Sequence, residues 1–238
     1  MLFNLLMSDT DEEEVQSRTI KISVVGESAT GKTSLCTRYL SGGGTTATAA
    51  SGTQGAEVMA GQCLGLRPPV PLQLCDVAGN ALSTRMLDNY LYASDVILFV
   101  YDLTNLQSFE KLNTWFETIK HIFDAEQKKP VMALFGNKSD LEHQRAVRLS
   151  CVQKFASEHL LENFKGSART GEMVNNAFTN LVARVLGAKV RRAFANGRSP
   201  IVRESETRPQ EPTTSLIMTR KAVRRAQRTA SSSVCSVV

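Results

Sequence analysis

The sequence predicts an α/β fold in which a mostly parallel sheet carries helices on both faces. Two observations lead to this prediction. Short apolar or β-branched runs recur along the chain, and segments with helical spacing of apolar residues lie between them. Strands that alternate with helices form βαβ units, and the right-handed crossovers of such units place the strands in parallel.

Four runs of the chain are typical of strands: residues 20–25, 70–75, 96–101 and 131–135. The third reads V-I-L-F-V-Y, an unbroken apolar run that indicates a strand buried on both faces. Prolines crowd the start of the second run, where each removes a donor from the strand ladder.

Helical spacing predicts four helices. Residues 33–40 form the first, and residues 148–161 form the third. The second and fourth are marked by apolar positions that we interpret as core faces of amphipathic helices: Phe109, Leu112, Phe116, Ile119 and Phe123, then Val174, Phe178, Leu181 and Val185. Residues 41–55 are rich in Gly, Thr, Ala and Ser and predict a mobile loop.

Composition divides the chain of 238 residues into three parts. Residues 188–238 hold eleven Lys and Arg against three Asp and Glu, a net charge of +8, whereas residues 1–187 carry −3. We expect a disordered acidic N-terminus at 1–18, a folded domain at 19–187 and a disordered basic tail at 188–238. The asymmetry favours a tail that meets an anionic surface; a solvated tail without a partner stays open as the alternative.

The five cysteines (Cys36, Cys63, Cys75, Cys151 and Cys235) show no C-x-x-C pairing. A scattered, odd set favours reduced thiols in a cytosolic protein over a disulfide framework. No apolar run approaches the ~20 residues of a membrane span. The apolar start M-L-F-N-L-L lacks the basic leader of a signal peptide, and Met7 is an alternative start.

The first site motif is a phosphate-binding loop between the first strand and the first helix. Residues 26–33 read G-E-S-A-T-G-K-T and fit the pattern G-x-x-x-x-G-K-[ST]. Glycines let backbone N–H groups approach phosphate, and the helix N-terminus adds partial positive charge. We predict that Lys32 reaches the β- and γ-phosphates and acts in catalysis, and that Thr33 binds Mg²⁺. The predicted residues are Gly26, Glu27, Ser28, Ala29, Thr30, Gly31, Lys32, Thr33 and Ser34.

The second site motif, N137-K-S-D140, predicts which base is bound. It follows a predicted strand, at the carboxyl edge where open α/β sheets bind ligands. Asp140 is predicted to accept from the N1–H and 2-amino groups of guanine, donors that adenine lacks. The stem of Lys138 is predicted to cover one face of the ring. In S167-A-R169, the Ala168 N–H is predicted to donate to guanine O6, beside Ser167 and Arg169.

The third site motif, D76-V-A-G79, follows the strand at 70–75. Beside such a phosphate loop, Asp76 is predicted to reach Mg²⁺ and the Gly79 N–H to meet the γ-phosphate. Thr53 is predicted to complete the metal shell from the mobile loop. Because these contacts need the third phosphate, they predict a switch.

These motifs, in this order, resemble those of the Ras-like small GTPases over about residues 19–187. The stretch Y101-D-L-T-N and the S-A-R loop look like the Rab family. The acidic start M-S-D-x-x-E-E, R85-M-L-D-N-Y90, G136-N-K-x-D-L-E-H143 and a C-a-a-X end look most like the divergent Rab subgroup numbered twenty-eight.

The resemblance implies a P-loop small-GTPase domain with a six-stranded sheet and about five helices. It also implies a GTP-binding switch of vesicle trafficking that uses GTP, GDP and Mg²⁺ and hydrolyses GTP. An exchange factor, a GTPase-activating protein, a prenyl-handling carrier and an effector are the implied partners. The implied location is the cytosolic face of intracellular membranes with a cytosolic pool, and for this subgroup endosomal or ciliary traffic.

Three departures from the family pattern bear on function. Asn80 stands where the family has the Gln that orients the attacking water, and its amide is one methylene shorter. Residues 41–52 hold no aromatic residue to stack on guanine, so ordering this loop on the nucleotide costs entropy. Cys75 replaces the usual Trp before the metal Asp and changes the aromatic patch offered to effectors.

The chain end, C235-S-V-V238, fits the C-a-a-X pattern and predicts prenylation of Cys235. The basic run R220-K-A-V-R-R-A-Q-R228 lies just upstream, and one lipid with a basic patch makes a two-signal membrane anchor. We prefer this to a nucleic-acid arm, because no aromatic residues interleave the basic run.

Two alternatives to a GTPase switch stay open from the sequence. The first is a nucleotide-binding interaction module that switches poorly, which the Gly- and Ala-rich loop favours. The second is a P-loop ATPase or nucleotide kinase, which the N-K-x-D motif disfavours.

Overall fold

The sheet has six strands among the described residues, in the order β2-β3-β1-β4-β5-β6. Their bounds are β1 (Ile20–Val25), β2 (Ala56–Cys63), β3 (Val70–Val77), β4 (Val96–Asp102), β5 (Val131–Asn137) and β6 (Glu162–Lys165). β2 runs antiparallel to β3, and the other neighbouring strands are parallel. The predicted mostly parallel, six-stranded α/β fold is confirmed.

A computed structural model of the protein describes residues 18–42 and 52–187. Most of the predicted N-terminal segment, the middle of the 41–55 loop and the whole basic tail with Cys235 lie outside the described residues. Among the residues described, no helix is both long enough and apolar enough to cross a bilayer.

Six α-helices pack on the sheet in the described part of the chain, where the resemblance implied about five. Their bounds are α1 (Lys32–Leu40), α2 (Leu87–Leu91), α3 (Leu106–Glu110), α4 (Leu112–Asp124), α5 (Leu149–Glu158) and α6 (Val174–Val185). The helix predicted through Phe109 and Phe123 is divided at Lys111, so Phe109 belongs to the short α3.

Two hydrophobic clusters, one on each face of the sheet, form the core. One joins the sheet to α1 and α6 through residues such as Leu35 and Phe178, and the other joins it to α2, α4 and α5 through residues such as Leu91 and Trp115. All seven residues of β4 are buried, as its unbroken apolar run predicted. Burying one such Val, Leu or Phe side chain contributes roughly 1.5–3 kcal/mol to folding.

Periodicity did not locate three elements, β2, β6 and α2, and β2 is the longest of them. It is an edge strand with a single neighbour, and most of its residues are exposed or half-buried. Its sequence, A-E-V-M-A-G-Q-C, contains few β-branched residues, so the local preference for a strand is weak. Pairing with β3 from Ala56 to Cys63 supplies the structure instead.

Candidate functional site

The sequence motifs meet at the carboxyl edge of the parallel strands. β1 leads into the phosphate loop, β3 into D-V-A-G, and β5 into N-K-S-D. A Cβ added to Gly31 would lie 2.4 Å from Asn137 Nδ2, and one added to Gly79 would lie 2.2 Å from the Ser28 backbone nitrogen. Three motifs far apart in the sequence are therefore in direct contact.

The phosphate loop is a compact turn whose conformation depends on positive φ angles. Gly26, Ala29 and Gly31 have φ values of 137°, 61° and 87°. A Cβ on Gly26 would stand 2.2 Å from the Val100 carbonyl oxygen, so the loop leaves β1 close against β4. α1 begins immediately afterwards at Lys32, which aims its helix N-terminus into the turn.

Lys32 is buried and held by the loop that precedes it. Its Nζ donates to the carbonyl oxygens of Gly26 at 2.9 Å and Glu27 at 2.8 Å. An ammonium has three protons to donate, so one is left for a further acceptor. Burial lowers the pKa of Lys32, while the nearby Asp76 and Glu27 charges raise it.

The residues predicted to bind the metal are in mutual contact. Thr33 Oγ1 donates to Asp76 Oδ2 at 2.5 Å, and Thr53 Oγ1 donates to the same oxygen at 3.2 Å. The two threonine hydroxyls are 3.0 Å apart. Three side-chain oxygen atoms, one each from α1, β3 and the 41–55 loop, thus converge on one point.

These residues fit a divalent cation. Asp76 Oδ1 is buried and has no hydrogen-bond partner in the part of the chain that the structure describes. Burial raises the pKa of Asp76, and hydrogen bonds from Thr33 and Thr53 oppose that shift. An unpaired buried carboxylate is unfavourable by itself, and Mg²⁺ prefers oxygen ligands of this kind.

Asn137 connects the phosphate loop to the S-A-R loop. Its Nδ2 donates to the Thr30 carbonyl at 2.8 Å, and its Oδ1 accepts from the Ala168 N–H at 2.9 Å. The sequence predicts that the Ala168 N–H donates to guanine O6. In the structure it donates to Asn137 Oδ1. This bridge holds the phosphate loop and the S-A-R loop at a fixed distance from each other.

Asp140 lies at the end of the motif and is 15% exposed. Its Oδ1 accepts from the Ser167 hydroxyl at 2.6 Å, and its Oδ2 is 3.7 Å from Nη1 of the exposed Arg169. A carboxylate has about four acceptor positions, so acceptor capacity remains after these contacts.

Comparison with known proteins identifies the family. The model of the Ras family matches residues 21–187. The chain is 31% identical to Ras-related protein Rab-28 of Caenorhabditis elegans, across 97% of this chain and 90% of that protein. It is also 34% identical to Ras-related protein rab-39 of the same organism, over 71% and 74% of the two chains, and 28% identical to Ras-related protein Rab-13 of Rattus norvegicus, over 76% and 86%. The chain belongs to the Ras family.

Its relatives confirm the predicted likeness to Rab proteins and to the subgroup numbered twenty-eight. Ras-family proteins are GTPases that bind GTP or GDP together with Mg²⁺. Rab homologues act as trafficking switches on intracellular membranes. The converging motifs described above are therefore the candidate nucleotide site of this Ras-family chain.

In this Ras-family chain, Asn80 is exposed and directly follows the D-V-A-G motif. Its backbone carbonyl accepts from the Ser83 N–H at 3.3 Å and from the Ser83 hydroxyl at 3.0 Å. Its side-chain amide makes no hydrogen bond to any residue that the structure describes.

Two charged contacts of the site were missed by the motif search. Lys138 Nζ pairs with Asp102 Oδ2 at 2.6 Å, which holds the lysine stem beside the site. The motif includes Glu27 only as one of the variable positions of the phosphate loop. Its carboxylate accepts hydrogen bonds from Lys111 and Trp115 at the start of α4. Asp102 lies in the Y-D-L-T-N stretch. Its ion pair with Lys138 depends on the pairing of β4 with β5, which a single sequence does not reveal.

Proposed function

We propose that this chain is a GTP-binding switch of vesicle trafficking whose unaided hydrolysis of GTP is slow. The contact of Thr53 with both Thr33 and Asp76 supports a switch. Thr53 belongs to the loop that follows α1, so this loop and the phosphate loop share one cation-binding point. A loop held through such a point responds to loss of the third phosphate.

Slow hydrolysis follows from the residue after Gly79. Asn80 carries the amide needed to orient water, but its reach is one methylene shorter than that of Gln. Misplacing a positioning group by about 1 Å costs roughly a hundredfold in rate. Lys32, with a proton left to donate, is suited to the developing charge on the phosphate oxygens.

The competing function is an interaction module that holds nucleotide and barely switches. Residues 42–52 contain three alanines and no Lys or Arg, so an elastase-type protease cuts this loop where trypsin does not. We expect cleavage after Ala47, Ala49 or Ala50 with GDP, and protection with a non-hydrolysable GTP analogue. Equal cleavage in the two states would support the module.

Attachment to a membrane through Cys235 and the basic tail is part of the same proposal, with endosomal or ciliary membranes as the expected destination. Cys235→Ser is expected to move the protein from the membrane to the cytosolic fraction, and Cys151→Ser, a change at an exposed cysteine of α5, serves as the control. Unchanged membrane association of Cys235→Ser would contradict the proposed anchor.

A further inference from the structure

Glu27 connects the phosphate loop to helix α4 through its side chain. Its Oε1 accepts from the Trp115 indole N–H at 3.1 Å, and its Oε2 accepts from Lys111 Nζ at 3.1 Å. The two donors are four residues apart and lie on the same face at the start of α4. The carboxylate therefore faces α4, away from the interior of the loop that its backbone helps to form.

The backbone of Glu27 is fixed at the same time by the phosphate-binding side chains. Its carbonyl oxygen accepts from Lys32 Nζ at 2.8 Å and from Thr30 Oγ1 at 2.9 Å. One residue thus contacts α4 with its carboxylate and the phosphate-binding lysine with its carbonyl. Movement at either end is transmitted to the other through a single side chain.

Burial makes the connection to Trp115 costly to break. The Trp115 side chain is fully buried within the cluster on the α4 face of the sheet, and a buried indole N–H needs an acceptor. Glu27 is 20% exposed, whereas Lys111 is 61% exposed. We expect the bond to the indole to contribute more than the solvent-screened ion pair.

We propose that Glu27 is a positioning residue for nucleotide binding, which sets the phosphate loop from α4 and couples occupancy of the site to the environment of Trp115. This inference rests on the proposed nucleotide binding. Glu27 holds the carbonyl that orients the Lys32 ammonium, and Trp115 holds Glu27. A residue that only satisfied a buried indole would affect unfolding but not the retention of nucleotide.

Trp115 is the single tryptophan of the chain, so the tryptophan emission of the protein comes from the side chain that contacts Glu27. The test compares the wild type, Glu27→Ala, the isosteric Glu27→Gln and Trp115→Phe. Glu117→Ala is the matched control, because Glu117 is an exposed acid of α4 whose partner Lys120 is 3.9 Å away. Release of a fluorescently labelled GDP and tryptophan emission with and without GDP are measured.

We expect Glu27→Ala and Trp115→Phe to release labelled GDP about tenfold faster than the wild type, because each loses a hydrogen bond to a charged group. The double variant is expected to release it no faster than Glu27→Ala. Glu27→Gln keeps an acceptor for the indole and is expected to stay within about threefold of the wild type. Tryptophan emission is expected to change on GDP binding in the wild type and not in Glu27→Ala.

Release of GDP at the wild-type rate by both Glu27→Ala and Trp115→Phe would overturn the proposal. So would unchanged tryptophan emission in a wild type that demonstrably binds GDP. If Glu27→Ala does not fold, Trp115→Phe decides, since it keeps an aromatic ring at this buried position and removes the N–H donor together with part of the indole. A wild type that binds no guanine nucleotide would contradict the proposed function itself, which separates that failure from failure of the Glu27 inference.

Discussion

Gly79 lies against Ser28 of the phosphate loop so closely that a Cβ at position 79 would stand 2.2 Å from the Ser28 nitrogen. The D-V-A-G motif and the phosphate loop are thus in backbone contact. No side chain is compatible with this spacing unless one of the two loops moves. The glycine of D-x-x-G is therefore required here by packing, in addition to any contact of its N–H with phosphate.

Gly79→Ala is expected to weaken binding of a GTP analogue about tenfold more than binding of GDP, because a shift of about 1 Å displaces the γ-phosphate contact most. Titration calorimetry with the two nucleotides measures the difference. Gly187→Ala, just after α6, is the control, since a Cβ there meets nothing within 4 Å. An equal loss for both nucleotides would show that Gly79 does not sense the third phosphate.

Asn80→Gln tests whether the water-positioning residue limits hydrolysis. Restoring the missing methylene is expected to raise the single-turnover rate of GTP hydrolysis roughly tenfold to a hundredfold. Asn89→Gln, the same change at an exposed residue of α2, is expected to leave the rate unchanged. No rise in Asn80→Gln would remove Asn80 as the cause of slow hydrolysis.

Asp76→Asn is expected to stabilise the metal-free protein and to weaken metal binding. Burial raises the pKa of Asp76 above its ordinary value of 3.8 in the folded protein. The folded state then binds more protons than the unfolded state between these two pKa values, so ionisation of Asp76 lowers stability as the pH rises. Without Mg²⁺ and nucleotide, the variant is expected to unfold at a higher temperature than the wild type at neutral pH.

The advantage of Asp76→Asn is expected to shrink as the pH falls through the raised pKa of Asp76 and to be lost below 3.8, where the wild-type carboxyl is protonated in both states. With Mg²⁺ and nucleotide bound, the wild type is expected to unfold at a higher temperature than Asp76→Asn. Thermal unfolding across pH measures both effects, and Asp88→Asn on the exposed face of α2 is the control. A neutral-pH stability of the metal-free variant below that of the wild type would contradict a net cost of the buried Asp76 charge, whose Oδ1 lacks a hydrogen-bond partner among the described residues.

The sequence predicts the motifs and the order of most elements, because these depend on local signals. The buried run of β4 and the glycines of the phosphate loop can be predicted from short stretches of sequence, so they are readable locally. The edge strand β2 and the contacts of Glu27 are not, because they depend on partners far along the chain. The engagement of the Ala168 N–H by Asn137 is also a tertiary contact, between residues 31 positions apart.

The measurement that tests the account most directly is the affinity of the purified protein for GTP, GDP and ATP. We expect GTP and GDP to bind at least about a thousandfold more tightly than ATP, because adenine offers no pair of donors to the remaining acceptor positions of Asp140. Asp140→Ala is expected to lose most of this preference, and Asp124→Ala, a change at an exposed carboxylate of α4, is expected to keep it. ATP binding as tight as GTP binding would contradict the identification of a guanine-nucleotide switch.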